Sequence, residues 1–376
     1  MSTPSNPDVP PPGPGLGDIP ALARAMREAA VRTRLMADPQ LTYLFWECTL
    51  RCNLRCAHCG SSCGDRPPPG ELGTREVLAA LDTIIEDFDA SRIALAITGG
   101  EPLIRPDLEE VAACASRAGM TVGMVTNGVL ATAERARDLV QSGMTIVSVS
   151  IDGLEASHDA VRGPGTFQKT LAGIEALRRG GFRAVEILTC VRPANLGELD
   201  DIEAMVGELG IRSWRLLAID RMGRAAGPTV ADAWLDPGGV VRLLEFIRSR
   251  RRLAGGAQDA VDVRFSCGGY LGPRYELAVR PCDGQCLAGL CAASILHDGS
   301  VGACPSLPRE LVQGSVLKDR FSRIWKERFE LFRKTEWRRS GPCESCSWFQ
   351  VCLGGGLHGR YAQPDSFCWL KRQSTE

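Results

Sequence analysis

The chain carries almost no net charge. Its 44 Lys and Arg residues stand against 45 Asp and Glu, a formal balance of −1. A nucleic-acid partner or an anionic membrane surface calls for a basic excess or a polybasic run. Neither is present, and the cluster Arg248, Arg250, Arg251 and Arg252 reads as a solvated helix end. Long apolar runs are also missing. A membrane-spanning helix needs roughly 18 apolar residues in a row, and no stretch approaches that. The N-terminus has no basic stretch leading into an apolar core, so it does not read as a secretory signal. No nucleic acid and no membrane are expected as partners, and the expected location is cytoplasmic.

Cysteine is what the chain has in excess, with 16 in 376 residues. In a reducing compartment such a count points to metal or catalysis rather than to disulfides. The distribution is uneven. Five lie between Cys48 and Cys63, nine lie from Cys267 onward, and only Cys114 and Cys190 fall between. Those two read as small packed hydrophobes. Otherwise the composition is that of an ordinary globular protein, 44% hydrophobic and 24% charged.

Cys52, Cys56 and Cys59 share one short loop, spaced C-x3-C-x2-C, directly after the apolar run 41–46. Three thiolates can hold three irons of a [4Fe–4S] cube and leave the fourth iron open. A zinc knuckle is the alternative, with Cys48 or Cys63 completing four ligands.

The chain divides along its length. Residues 1–20 are proline-rich and expected to be disordered, and 21–40 hold a leading helix. From residue 41 apolar strand-like runs alternate with helical ones. Strands are expected at 43–47, 92–97, 121–125, 146–151, 184–190 and 214–219. Helices are expected at 74–88, 106–118, 131–142, 167–179 and 196–209. Such alternation predicts an α/β protein with a parallel sheet, either an open partial barrel or a doubly wound sheet. The unit spans 41–225. A bridging region, 226–281, carries a helix near 240–251 and a strand at 262–265, and a cysteine-rich domain fills 282–370.

In parallel α/β folds ligands gather at the C-terminal ends of the strands. Here those ends deliver the cysteine loop, Gly99-Gly100-Glu101-Pro102, Asn127, Ser150 with Asp152, the segment 190–195 and the segment 220–224. Each motif alone reads as a turn or cap. Together they describe a site for a large ligand. The two glycines admit close backbone approach, Glu101 offers a carboxylate to an amine, and Ser150 and Asp152 can bind hydroxyls. In the last domain Cys286, Cys291 and Cys304 form one group, with His297-Asp298-Gly299 as a hairpin turn and Cys282 just upstream. Cys343, Cys346, Cys352 and Cys368 form a second. A zinc ribbon would also use a C-x2-C pair.

The joint pattern resembles the radical S-adenosylmethionine (SAM) superfamily in its branch with a C-terminal SPASM domain, over about residues 41–370. The resemblance implies a partial (β/α)6 TIM-like barrel followed by a small SPASM domain. It implies a [4Fe–4S] cluster on Cys52, Cys56 and Cys59, with S-adenosylmethionine on the open iron. Gly99, Gly100 and Glu101 would meet the methionine amino group. Asn127, Ser150 and Asp152 would lie near the carboxylate and ribose, and His58 beside the cluster or adenine. Arg162 is a candidate for the carboxylate, with a surface salt bridge as its alternative. Reductive cleavage would give a 5′-deoxyadenosyl radical that takes hydrogen from substrate. One or two auxiliary [4Fe–4S] clusters follow. Cys343, Cys346, Cys352 and Cys368 make a complete set, whereas the fourth thiolate of the first cluster is replaced by Gly356. Cys282 is the favoured substitute, ahead of an open iron or Cys267.

The expected function is maturation of a ribosomally made peptide or protein, by crosslinking, epimerisation or oxidation. A separate leader-recognition protein and a flavodoxin or ferredoxin are the expected partners. A small-molecule dehydrogenase or cofactor-biosynthesis enzyme is the alternative, and a non-catalytic electron carrier the third reading. Cys48, Cys63 and Cys267 are spare thiols on this reading.

Overall fold

Every second residue of each central strand is apolar, and that period decides which face is buried. The computed structural model of the chain describes residues 13, 15, 19–66, 68–227, 233–254, 260–281, 286–362 and 368–373. Most of the proline-rich segment 1–20, and Cys282, lie outside the described residues. The leading helix is α1 (Ile19–Ala37). The barrel strands are β1 (Tyr43–Thr49), β2 (Ala94–Gly99), β3 (Thr121–Thr126), β4 (Met144–Ser150), β5 (Ala184–Val191) and β6 (Ser213–Ala218). Between them run α2 (Thr74–Asp87), α3 (Leu108–Arg117), α4 (Ala133–Gln141), α5 (Glu155–Arg162), α6 (Thr166–Gly180) and α7 (Leu199–Glu208). All six strands pair in parallel in chain order, so their C-terminal ends share one edge.

One face of this sheet packs on the helices. Leu44, Trp46, Leu95, Ile97, Val122, Met124, Val147, Val149, Ile187, Trp214 and Leu216 are all buried there. Each such side chain contributes on the order of 1.5–3 kcal/mol of transfer free energy. The opposite face carries polar groups that satisfy one another. Glu186 accepts from Ser148 Oγ at 2.9 Å, Ser213 Oγ at 2.8 Å and Arg215 Nε at 2.7 Å.

The sheet is larger than the six expected strands. After α8 (Pro237–Ala254), β7 (Asp262–Phe265) of the bridging region pairs in parallel with β6. At the other edge β8 (Ala292–Ile295) of the cysteine-rich domain pairs in parallel with β1, in register Tyr43↔Ala292. β9 (Ser300–Gly302) and β10 (Gly314–Ser315) add antiparallel strands. The order is β10-β9-β8-β1-β2-β3-β4-β5-β6-β7. One sheet thus crosses both boundaries read from sequence. Short helices follow: α9 (Phe321–Arg328), α10 (Glu330–Arg333), α11 (Phe349–Cys352) and α12 (Leu357–Ala362).

Two buried polar links tie the C-terminal part to the barrel. Glu47 of β1 is fully buried and accepts from Arg309 Nη2 at 2.7 and 2.8 Å, with His297 Nδ1 2.9 Å away. Arg32 of α1 donates to the Val351 carbonyl at 2.9 Å. Among the described residues no helix is long and apolar enough to cross a membrane.

Candidate active site

The cysteine loop leaves β1 and is held by backbone from both sides. Cys52 N donates to Gly64 O at 2.6 Å, and Gly64 N returns to Leu50 O at 3.2 Å. Gly100 N donates to Thr49 O and Glu101 N to Arg51 O, at 2.7 and 2.8 Å. A Cβ on Gly100 would sit 1.9 Å from Arg51 O, and one on Gly99 2.3 Å from Thr49 O. The glycines are therefore required by the approach of the protein's own loop, before any ligand is considered.

A second clamp comes from the loop after β6. Arg224 Nε donates to Cys56 O and Nη1 to Cys63 O, both at 2.7 Å, while its backbone N donates to Cys59 O at 2.9 Å. Residue 223 must be glycine, since a Cβ there would lie 2.3 Å from Gly60 O. The sequence places Arg224 at the ligand edge after the sixth strand but does not reveal its partners, which lie about 160 residues away and are backbone carbonyls.

The thiols differ in environment. Burial pushes Cys52 up to about 11 and also raises Cys56. A hydrogen bond from the Cys63 thiol brings Cys59 down to about 5. Cys63 therefore touches an expected ligand and is not a detached bystander. Cys48 is buried under the loop, and its carbonyl accepts from Arg105 Nη1 at 2.8 Å.

Glu101 differs from its expected role. It is fully buried, and its oxygens accept from Leu103 N at 3.0 Å, Thr126 Oγ1 at 2.7 Å and Asn127 N at 2.8 Å. Burial raises its pKa despite those donors. Its carboxylate ties the end of β2 to the end of β3. Asn127 in turn reaches the cysteine loop, with Nδ2 2.8 Å from Asn53 Oδ1 and 3.9 Å from Cys52 Sγ.

Asp152 also differs. It is 1% exposed, and three donors occupy it. His58 Nε2 lies 2.8 Å and Arg162 Nε 2.6 Å from Oδ2, and Cys190 N donates to Oδ1 at 2.8 Å. Burial opposes its charge, but the Arg162 and His58 charges outweigh that and hold the carboxyl well below the usual range. No oxygen is left facing outward for a hydroxyl, so Asp152 orients His58 and Arg162. The surface alternative for Arg162 fails, because α5, a helix the sequence reading did not resolve, ends on it and buries it against Asp152. Ser150 ends β4 and is half-buried. His58 is buried with Nδ1 lacking any protein partner. Cys190, expected as inert packing, has its Sγ within 4.8 Å of the His58 and Asp152 ligand atoms.

In the C-terminal domain Cys343, Cys346, Cys352 and Cys368 line a single narrow cavity walled by Tyr270, Trp348, Phe349 and Trp369. This converging set of four soft donors fits a thiolate-bound cluster. The other group gathers differently from expectation. Cys304 lies near enough to Cys267, His358 and Cys286 to sense their charges. Cys291 turns to β1, where its thiol takes a hydrogen bond from the Thr42 side chain.

A cavity of about 360 Å³ lies between the cysteine loop and the C-terminal domain. Gly60, Ser61 and Ser62 form one wall, Arg221 to Gly223 a second, and the segment 305–309 with His358 and Tyr361 the rest.

The radical SAM superfamily model matches residues 46–206, and the SPASM iron–sulfur cluster-binding domain matches 286–347. The AdoMet-dependent heme synthase of Nitratidesulfovibrio vulgaris is 32% identical over 351 residues, covering 88% of this chain and 90% of that one. The mycofactocin maturase MftC of Mycobacterium ulcerans is 33% identical over 329 residues, covering 85% and 83%. Among solved structures, anSMEcpe with bound AdoMet and Cp18Cys peptide superposes with a TM-score of 0.69 at 18% identity, over 89% of this chain and 94% of that one.

Proposed function

Because this chain belongs to the radical SAM superfamily, in its branch with a C-terminal SPASM domain, we propose that it takes hydrogen from a peptide docked between the cysteine loop and the C-terminal domain. The chain is an enzyme, since its relatives carry the names of synthases and maturases, and the electron-carrier reading is set aside. We assign Cys52, Cys56 and Cys59 as the thiolates of the [4Fe–4S] cluster. Three thiols in one backbone-clamped loop and the orphaned, buried Nδ1 of His58 fit a cluster with a bound cofactor. When bound, the cluster and S-adenosylmethionine supply one-electron, hydrogen-abstracting chemistry.

The chain's own residues then have separable tasks. Arg224, Gly99 and Gly100 fix the loop. Glu101 sets the Thr126–Asn127 end of β3, and Asn127 borders Cys52. Asp152 holds His58 and Arg162 in fixed orientation, and Arg162 supplies a positive charge beside Cys56. Cys343, Cys346, Cys352 and Cys368 hold an auxiliary cluster. A flavodoxin or ferredoxin would supply electrons, and a separate leader-binding protein would present the peptide.

The cavity carries the choice of a peptide. Its described walls mix loop glycines, serine hydroxyls and prolines with Met222, Leu307, His358 and Tyr361, surfaces that suit an extended chain. Its two described arginines each already have a partner in the protein. Arg221 lies over the Trp234 ring at 4.1 Å, and Arg309 is bound to Glu47. A heme-like substrate brings several carboxylates that need free cations, which weighs against the alternative suggested by the heme synthase relatives. The test is anaerobic reconstitution, reduction and assay of 5′-deoxyadenosine. Peptides encoded by short reading frames beside the gene should stimulate its formation and change in mass. Stimulation by an iron porphyrin and by none of those peptides would overturn the peptide reading.

A further inference from the structure

At the position where the SPASM pattern places a thiolate, this chain has Gly356, packed tightly against another stretch of backbone. A Cβ there would lie 3.1 Å from Gly268 O and 3.2 Å from Gly268 C. The reverse contact is tighter, since a Cβ on Gly269 would meet Gly356 N at 2.4 Å. The segment 267–269 therefore crowds the position from which the missing side chain would have projected. It does so through three consecutive left-handed residues, with φ of +63° at Cys267, +89° at Gly268 and +90° at Gly269. A cysteine pays a conformational cost in that region, which glycine does not. The cost is offset if the conformation aims the thiol at something.

The Cys267 thiol points at a histidine. Its Sγ lies 3.8 Å from His358 Nδ1 and 3.7 Å from Nε2. His358 is buried, and its Nε2 lies 2.9 Å from Asp220 Oδ2, just beyond β6. The Asp220 carboxylate holds Nε2, and Nδ1 faces the Cys267 sulfur. A metal-bound histidine shows this second-sphere arrangement, in which the carboxylate fixes both tautomer and ring orientation. Cys304 is close enough to sense Cys267, His358 and Cys286 together. Cys267 and one oriented imidazole thus share one neighbourhood, to which the SPASM pattern adds Cys286 and Cys304 as thiolates of the first auxiliary cluster, and His358 also borders the large cavity.

We propose that the first auxiliary iron–sulfur site is completed by His358 through Nδ1, beside Cys267, Cys286 and Cys304. Imidazole replaces the thiolate absent at position 356, and the Cys267–Gly269 segment carries the remaining sulfur into place. A neutral imidazole in place of an anionic thiolate raises a cluster's reduction potential, as histidine ligation does elsewhere. Asp220 links that ligand to the barrel edge that also carries Arg221, Gly223 and Arg224. The inference rests on the iron–sulfur character of the SPASM domain and is independent of what the substrate is.

The test uses the full-length chain with Cys52, Cys56 and Cys59 changed to Ala, so that only auxiliary clusters remain, reconstituted anaerobically and reduced without S-adenosylmethionine. Pulsed EPR should then detect a strongly coupled nitrogen whose pattern changes on 15N-histidine labelling. His358→Cys should keep the iron and sulfide content, abolish the nitrogen coupling and lower the potential of one cluster. Asp220→Asn should keep the coupling and shift that potential. Cys267→Ser should lose the iron of that site while Cys343→Ser loses that of the other. Absence of the coupling in a fully loaded protein would overturn the proposal. So would a Cys267→Ser variant of unchanged iron content alongside a Cys282→Ser variant that loses it.

Discussion

Arg224→Lys isolates the clamp on the cysteine loop. The guanidinium bridges two carbonyls, Cys56 O and Cys63 O, at 2.7 Å each, in a fork geometry that a lysine ammonium on a flexible stem cannot reproduce. At least one of the two charge-assisted hydrogen bonds is lost. Such a bond contributes about 1.5–3 kcal/mol. One carbonyl of the loop is then released, and the thiols of Cys56 and Cys59 gain freedom they must lose again when they bind iron. Converted at about 1.4 kcal/mol per tenfold, the expected effect is a roughly 10- to 100-fold weaker hold on the loop cluster. That range agrees with about 10–100-fold losses typical of groups that orient metal ligands. The fold itself should survive, because the backbone bond from Arg224 N to Cys59 O and the close Gly223 contact do not depend on the side chain. The assay is the rate of iron loss to a chelator under anaerobic conditions, read on protein whose auxiliary clusters serve as the internal reference. Arg224→Lys should lose the loop iron faster and the C-terminal iron at the wild-type rate. Loop iron lost at the wild-type rate would refute the clamp, and equal acceleration of both pools would replace it with a general loosening.

Asp152→Asn leaves Arg162 buried without its counter-charge, and breaking such a pair costs about 3–5 kcal/mol; chemical denaturation should record that loss, and one below about 1 kcal/mol would contradict the burial argument. Gly100→Ala drives a Cβ to 1.9 Å from Arg51 O and should prevent loading of the loop cluster, whereas Gly64→Ala in the same loop meets nothing within 4 Å and should load normally; iron quantification separates them. Burial, and then the Arg162 charge, bring His158 down to about 4 from an unfolded value near 6.5. Its neutral form is favoured in the fold, so stability is full above pH 6.5 and falls as pH drops toward 4, by about 1 kcal/mol at pH 5.5; His158→Phe should flatten that slope, and an unchanged slope would assign the acid sensitivity to other groups.

The sequence by itself determined the chemistry of the chain and the order of its barrel. The three-cysteine loop, the apolar period of two in β1 to β6 and the polar strand ends are local patterns, and local patterns survive without knowledge of partners. The strand at 262–265 was legible for the same reason. Its pairing with β6 was not, nor was the insertion of β8 beside β1, because strand pairing across some 250 residues leaves no mark in either strand alone. Tertiary structure also decided what individual site residues do. Glu101 and Asp152 read as carboxylates free for a ligand. Burial made an unpaired charge costly there, and protein donors took up both groups. Gly99 and Gly100 read as room for a cofactor, yet their first neighbours are Thr49 and Arg51 carbonyls. Arg224 stood at a strand end with no visible task, because its partners are backbone atoms of a distant loop. Cys267 and His358, 91 residues apart, meet only because the chain between them folds back on Gly356, where the absence of a side chain was the one trace the sequence held of that contact.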